Sequence, residues 1–80
     1  MLEQKLRKET EKWLEKIEVE RKKIKLIDDS KKELLNNIDA YISDCRHFLK
    51  EGKLIEAFEA VLWAWSWMEI LLRLKILKRF

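Results

Sequence analysis

The stretch from Lys53 to Phe80 limits the possible folds more than any other part of the chain. It contains neither Gly nor Pro, and its residues 60–68 form a run of nine uncharged residues. Large apolar residues recur in it at alternating intervals of four and three, which is the period of an α-helix, at Leu54, Phe58, Val61, Trp65, Met68 and Leu72. The apolar arc covers more than half of the helix circumference, so this helix needs neighbours on two sides.

The residues before this stretch supply two amphipathic neighbours. A first helix is predicted over about residues 3–26, with an end or a kink near Val19 as the alternative, and its apolar residues near one face are Leu6, Trp13, Ile17 and Ile24. A second helix is predicted over residues 30–51, because Ser30 followed by Glu33 has the form of a capping box. Its apolar stripe is the most regular in the chain and consists of Leu34, Ile38, Tyr41, Cys45 and Phe48.

Gly52 is the single glycine, and it stands where two apolar stripes must reverse direction. We expect it to end the second helix in a left-handed conformation, which a residue without Cβ adopts freely. The third helix then covers about residues 53–78. Short connections join antiparallel neighbours, so the sequence predicts an all-α fold, an up-down-up three-helix bundle with one domain over residues 1–80.

The third helix carries both small and large residues for packing. Its small residues would let a neighbouring helix come close, and they are Ala57, Ala60 and Ala64. Its large residues are predicted to fill the centre of the bundle, and they are Phe58, Trp65, Met68 and Leu72.

Composition narrows the class of protein without defining a function. Apolar residues make up 48% of the chain and charged residues 41%, which is typical of compact helical proteins and also of proteins from hot environments. The net charge of +3 arises from interleaved acids and bases, which usually mark a solvated surface. The single Cys45 cannot form an internal disulfide, so we expect a cytoplasmic protein. We expect neither a secretory signal nor a membrane span, since charges interrupt the apolar segments.

A specific combination of residues begins at Tyr41. It continues through Asp44, Phe48, Gly52, Ala57-Phe58 and Ala60 to Trp63-Ala64, Trp67 and Glu69. By this combination, which covers about half of the chain, the sequence resembles an archaeal family known as domain of unknown function 357. The resemblance implies a three-helix bundle and implies no activity, cofactor or substrate. It ends after Glu69, where Leu71 and Lys75 stand in place of the expected small residues. Most residues of the pattern are interpreted as structural, and these are Tyr41, Asp44, Phe48, Gly52, Ala57, Phe58, Ala60, Ala64 and Trp67.

Few residues have the type and spacing that catalysis or metal binding requires. Asp44, His47 and Glu51 line one side of the second helix, and a carboxylate with an imidazole at that spacing can begin a metal site. A solvated surface is the preferred interpretation, because the His and the Cys lie on different faces. Asp44 is expected to accept a structural hydrogen bond, and burial is expected to raise the pKa of Cys45. We predict no enzyme, no cofactor and no bound metal.

Two basic runs are candidates for contact with phosphates. The first consists of Arg21, Lys22, Lys23 and Lys25, and the second consists of Arg73, Lys75, Lys78 and Arg79. Cations at these positions also complement the dipoles of helices that end nearby, which is the preferred interpretation. If these cations bind phosphates instead, the chain is a nucleic-acid or ribonucleoprotein accessory, and this is the alternative function.

Trp63, Ile70 and Leu77 follow one another at intervals of seven along a flank of the third helix, beside a polar strip of Glu59, Ser66 and Arg73. Two neighbours do not easily cover this flank together with the central stripe, and an exposed apolar row marks an interface. The alternative is that the first helix buries the row. We predict a non-enzymatic interaction module that forms a homodimer, with these three residues as anchors and with Glu69 and Arg73 as rim charges. An enzyme using Asp44, His47 and Glu51 is the third candidate.

Overall fold

The computed structural model describes residues 1–80 and contains three α-helices and one two-stranded sheet. The helices are α1 (Leu2–Arg21), α2 (Lys32–Lys50) and α3 (Leu54–Arg73). The strands are β1 (Ile24–Leu26) and β2 (Leu77–Arg79). The prediction of a mainly helical domain with three helices is confirmed, whereas the sheet was not predicted. No helix combines the length and the apolarity that crossing a lipid bilayer requires.

The first helix is shorter than the predicted range of about 3–26 and ends near Val19, as the alternative predicted. α1 ends at Arg21 rather than near residue 26, and the chain turns through Lys22 and Lys23 into β1. Ile24 is buried, as the helical stripe predicted, but it reaches the core from a strand. Thr10 is the buried polar residue of α1, and its hydroxyl donates a hydrogen bond to the carbonyl of Leu6 at 2.7 Å.

The second helix begins later than predicted, and the predicted capping box is wrong. The Ser30 amide donates a hydrogen bond to Asp28 Oδ1 at 2.9 Å, and one turn of 3-10 helix, Asp29–Lys31, precedes α2. Asp28 therefore caps this segment in place of Ser30. The same hydrogen bond lowers the pKa of the Asp28 carboxyl below its usual value.

The apolar stripe of α2 is confirmed. Ile38, Ile42 and Cys45 are buried, and larger side chains such as Tyr41 and Phe48 are half-buried at the edges of the stripe. At the end of the helix, Gly52 has φ 75°, as predicted. The amides of Gly52 and Lys53 donate hydrogen bonds to the carbonyls of Leu49 and Phe48, which is the Schellman pattern.

The core side of α3 is rich in alanine. Its buried residues are Ala57, Ala60, Val61, Ala64, Met68 and Leu71. The predicted central stripe is correct at Val61 and Met68, but Phe58, Trp65 and Leu72 are only half-buried at its edge. Three alanines leave room for the backbone of a neighbouring helix, so this side of α3 faces the core and the bulkier side chains lie beside it.

Trp65 joins α3 to α1. Its ring meets that of Trp13 edge-on, with the centroids 5.9 Å apart, and its indole N–H donates a hydrogen bond to the Trp13 carbonyl at 3.2 Å. The polar atom of a large apolar side chain is thus satisfied at the edge of the core.

The third helix also ends earlier than predicted. α3 stops at Arg73 rather than near residue 78, because Lys75 adopts a left-handed conformation with φ 60° and reverses the chain. β2 then pairs antiparallel with β1, in a register that places Leu77 opposite Leu26. The sheet therefore closes the end of the molecule where α1 and α3 stop.

Candidate interaction surfaces

The side of α3 that points away from the core is largely apolar. At 100° per residue, Leu62, Ser66 and Ile70 lie nearly opposite the buried Ala64 and Met68. Neither α1 nor α2 covers this side, since its large side chains stay open to solvent. We call it the outer face of α3, and its residues are Glu59, Leu62, Trp63, Ser66, Ile70, Arg73 and Leu74.

Two of the three predicted anchors lie on the outer face, and the third does not. Trp63 exposes 54% of its surface and Ile70 exposes 45%, so α1 does not wrap over them. Leu77 exposes only 1%. It was predicted as the next heptad position of the helix, but α3 ends four residues before it, and Leu77 enters the core from β2. The prediction of Leu77 as an interaction anchor is therefore wrong.

Trp63 is supported by α2 while much of its surface remains in solvent. Its ring stacks on the ring of Tyr41, with the centroids 6.4 Å apart and the planes 21° apart. Stacking restricts the rotamers of the indole. A side chain that is already restricted loses little conformational entropy when a partner covers it, which suits an anchor.

The charged residues on and beside the outer face form no ion pair within the chain. The ion pairs of the structure include neither Glu59, Glu69 nor Arg73. The predicted rim charges Glu69 and Arg73 are exposed, and they do not bind each other. Their charges are therefore available to a partner molecule.

The second predicted surface, the basic one, is assembled by the sheet. β1 contains part of the first basic run and β2 contains part of the second, and their register places Lys25 directly opposite Lys78. We call residues 21–32 and 73–80 the sheet end. Two basic runs that are far apart in the sequence are therefore neighbours in the folded chain.

Carboxylates neutralise only some of the cations at the sheet end. Arg21 binds Asp39 through two atoms, with 3.0 Å between Nη2 and Oδ2. Lys23 and Arg79 share the carboxylate of Glu20. The other basic residues of the sheet end have no carboxylate within 4.0 Å, and they are Lys22, Lys25, Lys31, Lys32, Arg73, Lys75 and Lys78.

Two of the three acid/base candidates of α2, His47 and Glu51, are brought together, and Asp44 does not join them. His47 Nε2 lies 3.1 Å from Glu51 Oε1, at the exposed end of the helix. Asp44 is exposed and takes part in none of the side-chain hydrogen bonds, so the structural hydrogen bond predicted for it is absent. No group of three or more His, Cys, Asp and Glu side chains is placed to hold a metal ion.

Cys45 is fully buried between the helices, as its place on the apolar stripe predicted. Burial raises the pKa of its thiol to about 11, and the nearby Glu18 carboxylate contributes to the increase. Arg46 acts in the opposite direction, but its guanidinium is engaged by Glu18. The prediction of a raised pKa is confirmed, and the side chain packs as a small apolar residue.

The other residues that were assigned structural roles lie in or beside the core. Ala57, Ala60 and Ala64 are buried, and the half-buried members are Tyr41, Phe48, Phe58 and Trp67. Leu62 and Leu74 were not predicted as surface residues. They belong to a helix that is apolar almost all round, where periodicity alone does not separate the core side from the outer side.

Three helices around an alanine-rich core, with a small sheet at one end, define a small and mainly helical domain. The chain belongs to the family described as protein of unknown function (DUF357), whose model matches residues 5–77. It is similar to protein AF1782 from Archaeoglobus fulgidus, a crystal structure of the same family, with 49% identity, a TM-score of 0.90 and 100% of both chains covered. No curated protein matches the chain. The family resemblance in the sequence is confirmed.

Proposed function

We propose that this chain is a small interaction module without enzymatic activity, and that it forms a homodimer through the outer face of α3. The observation that supports the proposal is the exposure of large apolar side chains on that face, opposite the core. A partner that covers them removes apolar surface from water. The proposal takes the helices in the up-down-up order predicted from their short connections. It places the module in the cytoplasm, which suits its free thiol.

The outer face is complementary to a second copy of itself. If two α3 helices cross antiparallel at Ser66, residues at equal distances from Ser66 meet across a twofold axis. Leu62 and Ile70 are each four residues from Ser66, so each packs on the other in the partner copy. The small serine at the centre lets the two helix backbones approach closely.

The charges at the ends of the outer face fit the same arrangement. Glu59 and Arg73 are each seven residues from Ser66, so Glu59 of one copy meets Arg73 of the other. The pair forms twice in the dimer because of the twofold symmetry. Opposite charges at these positions favour the antiparallel register, since a parallel pair would place like charges together.

Trp63→Glu combined with Ile70→Glu tests the proposal, because both changes place a charge on the outer face. Sedimentation velocity over micromolar concentrations should show the wild type at twice the 9.8 kDa of the chain and the variant at the mass of one chain. Circular dichroism should show that the variant keeps its helices, since both side chains are exposed already in the single chain.

Leu2→Glu combined with Val19→Glu is the matched control. Both residues are exposed apolar side chains of α1, so the control changes the charge equally and removes as many apolar side chains. The control should remain a dimer. A wild type that is monomeric at every concentration, or a dimer that survives the two changes in α3, would contradict the proposal.

A nucleic-acid accessory is the second candidate function, and one observation supports it. The sheet register brings together the two basic runs proposed for phosphate contact, which are Arg21, Lys22, Lys23, Lys25, Lys78 and Arg79. Arg21, Lys23 and Arg79 lie next to carboxylates. Lys22, Lys25 and Lys78 are therefore the cations of this set that remain for an added ligand.

A further inference from the structure

Positive charges are concentrated at one end of the molecule and negative charges in the rest of it, which the small net charge does not show. The sheet end holds ten Lys and Arg residues and two Asp residues, whereas the remaining sixty residues hold eight Lys and Arg and thirteen Asp and Glu. The net charge of +3 is therefore the balance of a basic end and an acidic body, and two carboxylates of the body, Glu20 and Asp39, bind three cations of the basic end. A basic end of this kind attracts a polyanion over distances of about 8 Å at physiological salt.

The sheet arranges part of this charge on one flat surface. Side chains alternate between the two faces of a strand, and directly opposed residues of two strands share a face. Ile24 and Leu77 point into the core, so Lys25 and Lys78 point outward on the other face. The amide of Phe80 donates a hydrogen bond to the carbonyl of Lys23, which extends the same alternation by one residue on each strand. We call Lys23, Lys25, Lys78 and Phe80 the sheet platform.

The pairing of Lys25 with Lys78 is unfavourable in the chain alone. Like charges directly opposite each other in a sheet are destabilising. Neither ammonium group has a carboxylate within 4.0 Å. A phosphate group placed between the two lysines would remove the repulsion and give both cations a partner.

Phe80 adds a feature that points to bases as well as phosphates. Phe80 is 72% exposed as a residue, and Lys25 Nζ lies over its ring, 5.5 Å from the centroid. Proteins usually bind single-stranded nucleic acid with cations that follow its phosphate backbone and with aromatic rings on which its bases stack. A duplex keeps its bases stacked inside, so the ring favours a single strand.

We propose that the sheet platform binds single-stranded nucleic acid, with the lysines on the phosphates and Phe80 under a base. This proposal deepens the second candidate function and is independent of the α3 dimer. Ile27 and Ile76 continue the same face of the sheet at its other end, but together with Phe80 they form only a small apolar area, so an anionic membrane is the less favoured partner. The strands are only about 10 Å long, so binding is weak and strongly dependent on salt.

Fluorescence anisotropy with fluorescein-labelled 12-nucleotide oligo(U), oligo(dT) and a duplex of equal length is the test. At about 50 mM KCl the wild type should bind both single strands and should bind the duplex more weakly. Lys25→Gln with Lys78→Gln should reduce the slope of log affinity against log salt by about 2, which is about 1 for each lysine that contacts a phosphate. Phe80→Ala should weaken binding by at least about fivefold, the lower range for the loss of one stacked base.

Lys5→Gln with Lys8→Gln is the matched control, because both lysines are exposed, unpaired and outside the sheet end. It makes the same change in net charge and should keep the wild-type salt slope. The Trp63→Glu and Ile70→Glu variant should also bind the single strands, and this result separates a failure of the dimer from a failure of the platform.

Four results would overturn the proposal. They are no binding at low salt, an equal loss in the Lys5 and Lys8 control, full affinity in the Phe80→Ala variant, and capture by phosphatidylserine vesicles of a protein that does not bind the oligonucleotides. The last result would assign the basic surface to a membrane instead.

Discussion

Lys75 adopts at the end of α3 the left-handed conformation that Gly52 adopts at the end of α2, with φ 60° and φ 75° respectively. Both residues close a Schellman motif: the amide of Lys75 donates a hydrogen bond to the Leu72 carbonyl and that of Ile76 to the Leu71 carbonyl. The two turns are equivalent in their hydrogen bonds, but only one of them has a residue without Cβ. The turn at Lys75 therefore carries a steric cost that the turn at Gly52 does not.

Lys75→Gly should stabilise the chain by about 1 kcal/mol, because it removes the Cβ from a left-handed position. Urea unfolding followed by circular dichroism measures the change. Lys75→Ala is the control, since it removes the charge but keeps the Cβ, and it should give no comparable gain. Equal stabilisation by both substitutions would show that the charge, rather than the backbone conformation, is responsible.

Gly52→Ala should destabilise the chain by about 1 kcal/mol. A Cβ at Gly52 would meet no atom within 4 Å, so the loss arises from the backbone conformation and not from a clash. Gly52→Asn should lose less, because Asn tolerates the left-handed region better than Ala does. An unchanged or higher melting temperature for the Ala variant would contradict this account of the turn.

Helix ends were the main error of prediction, and the two left-handed turns show why. The sole glycine made the end of α2 visible in the sequence. Lys75 occupies the same conformation without any sequence signal, so the helical pattern of α3 was extended through Leu77. The pairing of Ile24 with Arg79 joins residues that are far apart in the sequence, and strands of three residues are too short to show an alternation. Local patterns therefore missed the sheet.

The candidate surfaces were predicted only in part for related reasons. Trp63 and Ile70 were predicted as exposed because they belong to a row with intervals of seven residues. Two neighbouring helices do not easily cover that row together with the central stripe. Leu62 was missed because α3 has apolar residues on nearly every side, and large residues were given the central position. In the folded chain Ala57 and Ala64 are at the centre instead, which rotates the exposed side toward Leu62.

Cys45 should make stability dependent on pH in the alkaline range. Its folded pKa is raised from 9.0 to about 11, so the folded state keeps the thiol proton that the unfolded state releases. The stabilising contribution is fully present below pH 9 and is lost as the pH rises to about 11. The loss should be on the order of 2 kcal/mol, because each unit of pKa difference corresponds to about 1.4 kcal/mol.

Urea unfolding of the wild type and of Cys45→Ala at several pH values isolates this effect. All other groups are the same in both proteins, so their contributions cancel in the difference. The difference in unfolding free energy between the two should shrink as the pH rises from 9 to 11. A difference that stays constant would show that the thiol titrates equally in the folded and unfolded states.

The most direct test of the α3 dimer is an exchange of the charges of Glu59 and Arg73, followed by sedimentation velocity over a range of concentrations. Glu59→Arg alone and Arg73→Glu alone each place like charges together at two symmetric points. Each single substitution should therefore raise the dissociation constant of the dimer by about tenfold, because two exposed ion pairs become two repulsive contacts. The variant with both substitutions restores opposite charges and should recover the wild-type dissociation constant. A double variant that associates no better than the single variants, or a wild type that never dimerises, would contradict the proposed self-association through the outer face.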